Sequence, residues 1–414
     1  MNIFAIIILS TLILDFVMNL IADILNLKTL SRELPEEFKD TYDEKKYRMS
    51  QDYTRVKILF ESTISVVSLA VLLAFWFAGG FNFIDVRVQS WNLNPILSGV
   101  LYIAILLILR QILSLPFKIV TTFVIEEHFG FNRTTPSTFI KDLFKGLTLA
   151  VLLGGPFFAG ILIMFSYVGN YAWLHCWIAA TLFTLFLQFI LPTWILPIFN
   201  TFKPIEKGKL KDSILKYARA VNFSITDIFS IDGSKRSTKS NAFFTGFGKN
   251  KRIALFDTLV ANHTVPELVA ILAHEIGHYK KGHIVRGMIV SILHMGVIFF
   301  LLSIFISNEK LFKAFYMEHI SLYAGFVFFS MLYTPVELFL SIFMNMLSRR
   351  NEFQADLFAS ETIENTKPLI DALKKLSVHN LTNLSPHSFY VLLTYSHPPV
   401  LERIKKLQKV KQCM

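Results

Sequence analysis

Seven stretches of the chain are each long and apolar enough to cross a lipid bilayer, and they lie near residues 3–25, 58–81, 93–114, 147–168, 173–196, 284–306 and 322–346. A helix needs about 20 apolar residues to span the hydrocarbon. Inside lipid every backbone N–H and C=O must be satisfied within its own segment, so such stretches fold as helices. Composition agrees: 53% of the 414 residues are hydrophobic and only 17% are charged, against about 25% charged in a soluble domain. The expected fold class is therefore an all-α polytopic membrane protein. The first stretch lacks a basic leading segment and a small-residue cleavage site, and reads as a retained span rather than a signal peptide.

Lysine and arginine divide the connections into two sets. The first loop (26–57) holds Lys28, Arg32, Lys39, Lys45, Lys46, Arg48, Arg55 and Lys57, and the third and fifth loops and the tail are also basic. The second connection has only Arg87, the fourth none, and the sixth Lys310 and Lys313. The positive-inside rule then puts the N-terminus outside and the odd loops and C-terminus in the cytoplasm. This divides the chain into spans one to five with their loops (1–199), a cytoplasmic segment (200–283), spans six and seven (284–346) and a cytoplasmic tail (347–414). The net charge of +11 is accounted for by loops facing anionic lipid. No aromatic-interleaved basic stripe accompanies it, so nucleic acid is excluded as a partner. The two cysteines, Cys176 and Cys413, make no disulfide framework. Asp15, Asp23, Glu61, Arg110, His294 and Glu337 fall within spans. Each would cost about 2.5–3.5 kcal/mol facing lipid at mid-bilayer. Asp23 and Arg110 are expected to snorkel to the interface, whereas His294 and Glu337 imply an interior that holds some water.

In the cytoplasmic segment, NAFFTGF and ALFDTLV have strand composition, with turn signals at Asp232-Gly233 and Gly248-Lys249-Asn250. Thr264-Val-Pro-Glu267 then opens a helix with a capping box and a proline in the first turn. On it runs AHEIGHYKKGH at 273–283. His274 and His278 are four apart and share a face, with about 6 Å between side-chain roots. Two imidazoles so placed can hold one zinc, and Glu275 beside them is placed as the general base that takes a proton from the attacking water. Projected along the same helix, His283 is about 180° from His274 and points away as a solvated or interfacial histidine. Catalytic zinc needs a third protein ligand. Because two spans separate it from the histidines, the segment SRRNEFQADLFAS at 348–360 returns to their level. Glu352 and Asp356 there share a helical face, so that one can bind metal while the other acts behind it.

An NEFQAD segment following HExxH across two spans resembles the type I CaaX prenyl proteases, integral-membrane zinc metallopeptidases of the gluzincin kind. LPEEFKDTYDEKKYRMSQDYT at 34–54, TFVIEEHFGFNRTTP at 122–136, LPIFNTFKPI at 196–205, SKRSTKSNAFFTGFGKNKRIALFDTLV at 234–260 and YSHPPVLERI at 395–404 are also similar to segments of that family. The resemblance covers essentially the whole chain. It implies seven spans enclosing a large chamber, capped on the cytoplasmic side by a small α+β zinc-metallopeptidase unit. It assigns one zinc ion to His274, His278 and Glu352, and the general base to Glu275. Asp356 becomes proton donor or support behind the metal, His397 the contact to the developing oxyanion, and Arg403 the residue that holds this corner together. Asn241, Ala242, Phe243 and Phe244 form the edge along which a peptide substrate adds as a strand. The implied substrate is a CaaX-type protein cut near its C-terminus, its prenyl group housed in the chamber. Rival readings are a membrane-protein quality-control endopeptidase that needs no prenyl group and, from another class, a zinc-dependent channel or transporter. The short sixth loop and the lack of a dilysine retrieval signal favour a bacterial inner membrane over the endoplasmic reticulum.

Overall fold

The computed structural model describes residues 2–31, 33–245 and 252–412. Six helices are long and apolar enough to cross a membrane unbroken: Ile3–Lys28, Glu44–Phe77, Pro95–His128, Pro136–Tyr167, Gly169–Phe199 and His283–Phe305. The seventh span is the pair Leu322–Leu332 and Thr334–Thr362, bent by 52° where they meet. Pro335 explains the bend, since it has no N–H for the preceding turn and its ring crowds that carbonyl. Turns of π-helix at Thr121–Ile125, Ala150–Gly154 and Leu191–Ile195 lie within a few residues of Pro116, Pro156 and Pro192, where a missing proline N–H has the same effect.

The second span differs from its sequence boundary. Its helix starts at Glu44, capped by the Asp43 carboxylate, which accepts from Lys46 N. The basic stretch before residue 58 is thus a helical extension rather than a loop. One face of it buries Tyr47, Ser50 and Tyr53, and that burial outweighs the polar character of the segment.

Packing is concentrated at the two ends of the molecule. One core joins Phe38 and Tyr47 from the first connection to Ile228 and Leu255 of the sheet, Leu272 of the histidine helix and Leu407 of the last helix. The other, at the opposite end of the spans, packs Trp76, Phe81, Tyr102, Phe312, Phe315 and Phe328. It encloses Asp85, fully buried, whose carboxylate accepts from Tyr323 Oη (2.6 Å), Ser321 Oγ (2.9 Å) and Gln89 Nε2 (2.7 Å). Between these ends only 6–17% of the apolar stretch of each unbroken span is buried. The spans therefore make few close side-chain contacts along their apolar lengths. Polar groups line these spans and pair with one another. Ser62 Oγ donates to Asp23 at 2.7 Å and ties the first span to the second. His294 Nε2 lies 3.0 Å from Tyr333 Oη.

The cap carries a four-stranded sheet. β1 (Phe202–Pro204) is antiparallel to β2 (Asp227–Ile231), β2 runs parallel to β4 (Arg252–Phe256), and β3 (Ala242–Thr245) is antiparallel to β4. The order β1-β2-β4-β3 leaves β3 at the edge. The strand expected over ALFDTLV ends at Phe256. Asp257–Asn262 is a short helix instead, held by Asp257 accepting from Ser234 N and Thr258 N, with Leu259 fully buried. Asp232-Gly233 does turn, into a short 3-10 helix; the turn expected at Gly248-Lys249-Asn250 lies outside the described residues.

Candidate metal centre

The helix Val265–Lys280 begins as its sequence dictates. The Thr264 hydroxyl caps the N-terminus and the Glu267 carboxylate accepts from Thr264 N at 2.8 Å, completing the box. Lys375 pairs with Glu267 at 2.8 Å and pins this turn to the C-terminal helices. Two turns later His274 and His278 project side by side, with Nε2 atoms 3.2 Å apart and rings nearly perpendicular at 80°.

Glu352 faces them from the returning seventh span. Its Oε1 is 3.2 Å from His278 Nε2 and its Oε2 3.4 Å from His274 Nε2. Glu352 is on the same level because the histidine helix and Thr334–Thr362 approach closely at Gly277. A Cβ there would lie 3.0 Å from the Ala355 carbonyl oxygen and 3.1 Å from its Cα. The glycine inside HEIGH thus sets the depth at which the two helices meet.

The two Nε2 atoms are 3.2 Å apart and each faces its own oxygen of the Glu352 carboxylate at 3.2–3.4 Å. The ligand atoms of the three residues lie within 4.8 Å of one another, separations close to those of a coordination tetrahedron. Bonds of about 2.0–2.1 Å to nitrogen and oxygen put neighbouring ligands about 3.3–3.4 Å apart. The set also has an unmet need: Glu352 Oε2 is buried and makes no hydrogen bond. A buried carboxylate oxygen 3.4 Å from His274 Nε2 and 3.4 Å from Arg403 Nη1, with no hydrogen bond of its own, is an acceptor that a cation would satisfy. The donor set therefore fits a divalent metal. Of the described residues, these three form the group of histidine, cysteine and acidic side chains close enough to share an ion.

Behind the triangle sits a dense ionic corner. Arg403 grips Asp356 with both arms, Nε to Oδ2 at 2.8 Å and Nη2 to Oδ1 at 2.6 Å, and its Nη1 lies 3.4 Å from Glu352 Oε2. Asp356 Oδ1 is in turn 2.8 Å from His274 Nδ1. Arg403 Nη2 is also 3.3 Å from that nitrogen. The shorter contact and the need to keep Nε2 bare decide for a His274 Nδ1–H that donates to the carboxylate. Burial alone would lower the pKa of His274, but its contacts with Asp356 and Glu352 outweigh burial and lift it to about 9 in the metal-free chain. Burial likewise opposes charge on Arg403, and the Asp356 pair more than restores it, raising its pKa.

Glu275 is half-buried and free of hydrogen bonds and ion pairs among the described residues. His397 stands on the open side, its side chain 66% exposed, with Nε2 3.4 Å from Glu352 Oε1 and Nδ1 3.0 Å from Ser396 Oγ. Asn241 precedes the edge strand, and its Oδ1 accepts from Ala242 N at 2.8 Å. Ala242, Phe243 and Phe244 pair with Leu255, Ala254 and Ile253 on one side, and no described strand pairs with the other. The side chains of Phe243 and Phe244 lie outside the described part.

His283 corrects the sequence projection. It is buried at 6% exposure, its Nδ1 3.1 Å from His278 Nδ1 and its Nε2 2.9 Å from Gln354 Oε1. The projection failed because the helix stops at Lys280 and Gly282, at φ +71°, turns the chain into the sixth span. A lysine pair followed by glycine is a helix-end signal, and heeding it would have kept His283 near the site.

Residues 23–201 match the family described as CAAX prenyl protease N-terminal, five membrane helices, and residues 204–411 match peptidase family M48. CAAX prenyl protease 1 of Saccharomyces cerevisiae is 34% identical over 414 residues, covering 93% of this chain and 90% of that protein. The CAAX prenyl protease 1 homolog of Oryza sativa subsp. japonica is 38% identical over 316 residues, covering 76% and 74%. The crystal structure of S. mikatae Ste24p superposes with a TM-score of 0.93 at 32% identity, over 98% of this chain and 99% of that one. The match runs over nearly the whole of the yeast protein and of the solved structure, and the chain belongs to peptidase family M48 as a multi-pass membrane metalloendopeptidase.

Proposed function

We propose that the chain is a zinc endopeptidase that cuts CaaX-type proteins near the C-terminus, with zinc held by His274, His278 and Glu352. The observation that carries this reading is the cluster of His274, His278 and Glu352, whose ligand atoms lie within 4.8 Å of one another, with Glu275 on the same helix between the two histidines. Two imidazoles and one carboxylate with an open fourth position is the ligand set of zinc peptidases. Bound zinc supplies an acidified water and a polarised carbonyl.

The residues around it divide the remaining work. Glu275, with no partner to hold it, takes the proton of the attacking water and returns it to the leaving amine. His397 reaches over the open side, where it can donate to the carbonyl oxygen as negative charge develops. Asp356 fixes the tautomer of His274 and is itself held by Arg403; it is the second candidate to return the proton. The free edge of β3, from Asn241 to Phe244, accepts the substrate backbone as an added strand, which would align the scissile bond without reading its side chains.

The names of the relatives support a prenylated CaaX substrate. So do the apolar side chains of the spans that carry the site, which offer an isoprenoid chain a surface to lie against. The lysine and arginine asymmetry supports a cap on the cytoplasmic face with the N-terminus on the other side. The reported relatives are fungal and plant proteins; they lend nothing to the bacterial inner membrane that the short sixth loop suggested, and the placement proposed here is one of sidedness alone.

The test is to give purified, detergent-solubilised protein a farnesylated CaaX peptide and its unprenylated twin, alongside metal analysis and the Glu275→Gln variant. Zinc at one per chain, cleavage of the farnesylated peptide and loss of about 10²–10⁴ in turnover for a zinc-loaded Glu275→Gln are expected. Equal cleavage of the two peptides would transfer the reading to a quality-control endopeptidase, and a variant of wild-type activity would overturn the mechanism.

A further inference from the structure

His274 and His278 both present Nε2 to Glu352, so each must carry its proton on Nδ1 to leave a lone pair for a metal. For His274 that proton goes to Asp356. For His278 the partner is another imidazole, His283 Nδ1 at 3.1 Å, and two imidazole nitrogens can bond only if one is bare.

The next contact decides which. His283 Nε2 lies 2.9 Å from Gln354 Oε1, and an amide oxygen only accepts. A neutral His283 therefore carries its proton on Nε2 and leaves Nδ1 as the acceptor. The bonds then run one way: His278 Nδ1–H to His283 Nδ1, and His283 Nε2–H to Gln354 Oε1. The reversed chain would put a hydrogen on His278 Nε2 and close the site. Burial enforces the choice, since at 6% exposure His283 has no water to replace a lost partner.

Two local features build the arrangement. Gly282 turns the chain so that the first residue of the sixth span lies under His278. Gln354 comes from the same helix as Glu352 and lies between it and Asp356. The acidic segment of the seventh span thus supports both histidines, one through a carboxylate and one through a neutral relay.

We propose that His283 and Gln354 are positioning residues that fix the tautomer and ring orientation of His278 for metal binding. This rests on the metal reading above. Neither residue touches substrate; both act through His278, and losing such a partner typically weakens a metal site about 10–100-fold.

The experiment measures zinc affinity of the full-length detergent-solubilised protein by chelator competition, and records the visible absorption of the Co²⁺ form. His283→Ala should weaken zinc about 10–100-fold and alter the Co²⁺ bands. His283→Gln, whose amide can accept from His278 and donate onward, should restore both towards wild type. Gln354→Leu should weaken zinc in the same direction by less. A purely structural role for His283 predicts a lower Tm with an unchanged Co²⁺ spectrum, and that result overturns the proposal. Should His283→Ala not fold, Gln354→Leu decides, and wild-type affinity there overturns it too. His278→Ala separates the two readings. If it binds zinc like wild type, the metal site itself is misplaced; if it loses zinc while His283→Ala keeps it, only the relay fails.

Discussion

Gly277→Ala tests how the site is assembled from two helices. The added Cβ would lie 3.0 Å from Ala355 O, 3.1 Å from Ala355 Cα and 3.2 Å from Phe358 Cδ1. Carbon atoms settle at about 3.5–4.0 Å, and the backbone of Ala355 cannot swing aside, so the helices must part by roughly 0.4 Å or more. Glu352 and the histidines lie on opposite sides of that contact. A metal site tolerates bond-length errors of about 0.2 Å, so the shift is about twice what coordination absorbs. Overpacking costs about 1–3 kcal/mol, which corresponds to roughly 5- to 100-fold in affinity. Alanine also gains about 1 kcal/mol of helix propensity over glycine. Without metal the helices relax apart and the two effects nearly cancel; with metal they must close against the methyl. The metal-free Tm should therefore change little while zinc affinity falls roughly 5- to 100-fold, and Gly277→Val should do worse on both counts. Chelator competition and thermal melts of metal-free protein read the two quantities separately. Gly277→Ala protein that binds zinc within about twofold of wild type would refute the claim that this contact sets the ligand spacing.

Glu352→Ala should strip zinc, because two histidines leave the ion under-coordinated, whereas Asp356→Ala should keep most of it with affinity down about 10–100-fold; metal analysis of purified variants would exchange the two roles if the outcomes were reversed. Zinc uptake should release a proton and weaken at low pH. His274 at about 9 is raised above its ordinary value and protonated at neutral pH, so apparent affinity should climb by up to about tenfold per pH unit and level off above pH 9; a flat profile between pH 6.5 and 9 would contradict this. Single cysteines at Lys209 and Lys310, with Cys176 and Cys413 replaced, should label from opposite sides of the membrane, since the first opens a cap helix and the second lies in the short helix Glu309–Ala314 at the far end; labelling from one side would refute the seven-span sidedness.

Features that depend on a few neighbouring residues were legible in the sequence. The spans announce themselves because lipid accepts little but an apolar helix. The histidine helix did so because Thr264, Pro266 and Glu267 satisfy its first turn locally and His274 and His278 are joined by one turn of the same helix. Glu352 was reachable because two spans must bring the chain back to the side it left. What tertiary structure decided are contacts between distant segments. The Glu44 helix start depended on burying Tyr47 against a cap built from residues hundreds of positions away. The end of β4 at Phe256 depended on Asp257 finding Ser234. His283 was misplaced because a helical wheel extends a helix indefinitely, while the real one ended at a left-handed glycine and Gln354 was waiting beyond it. Periodicity describes a segment that continues; where the chain turns, side-chain direction is set by whatever the turn meets, and that is fixed only once the helices have packed.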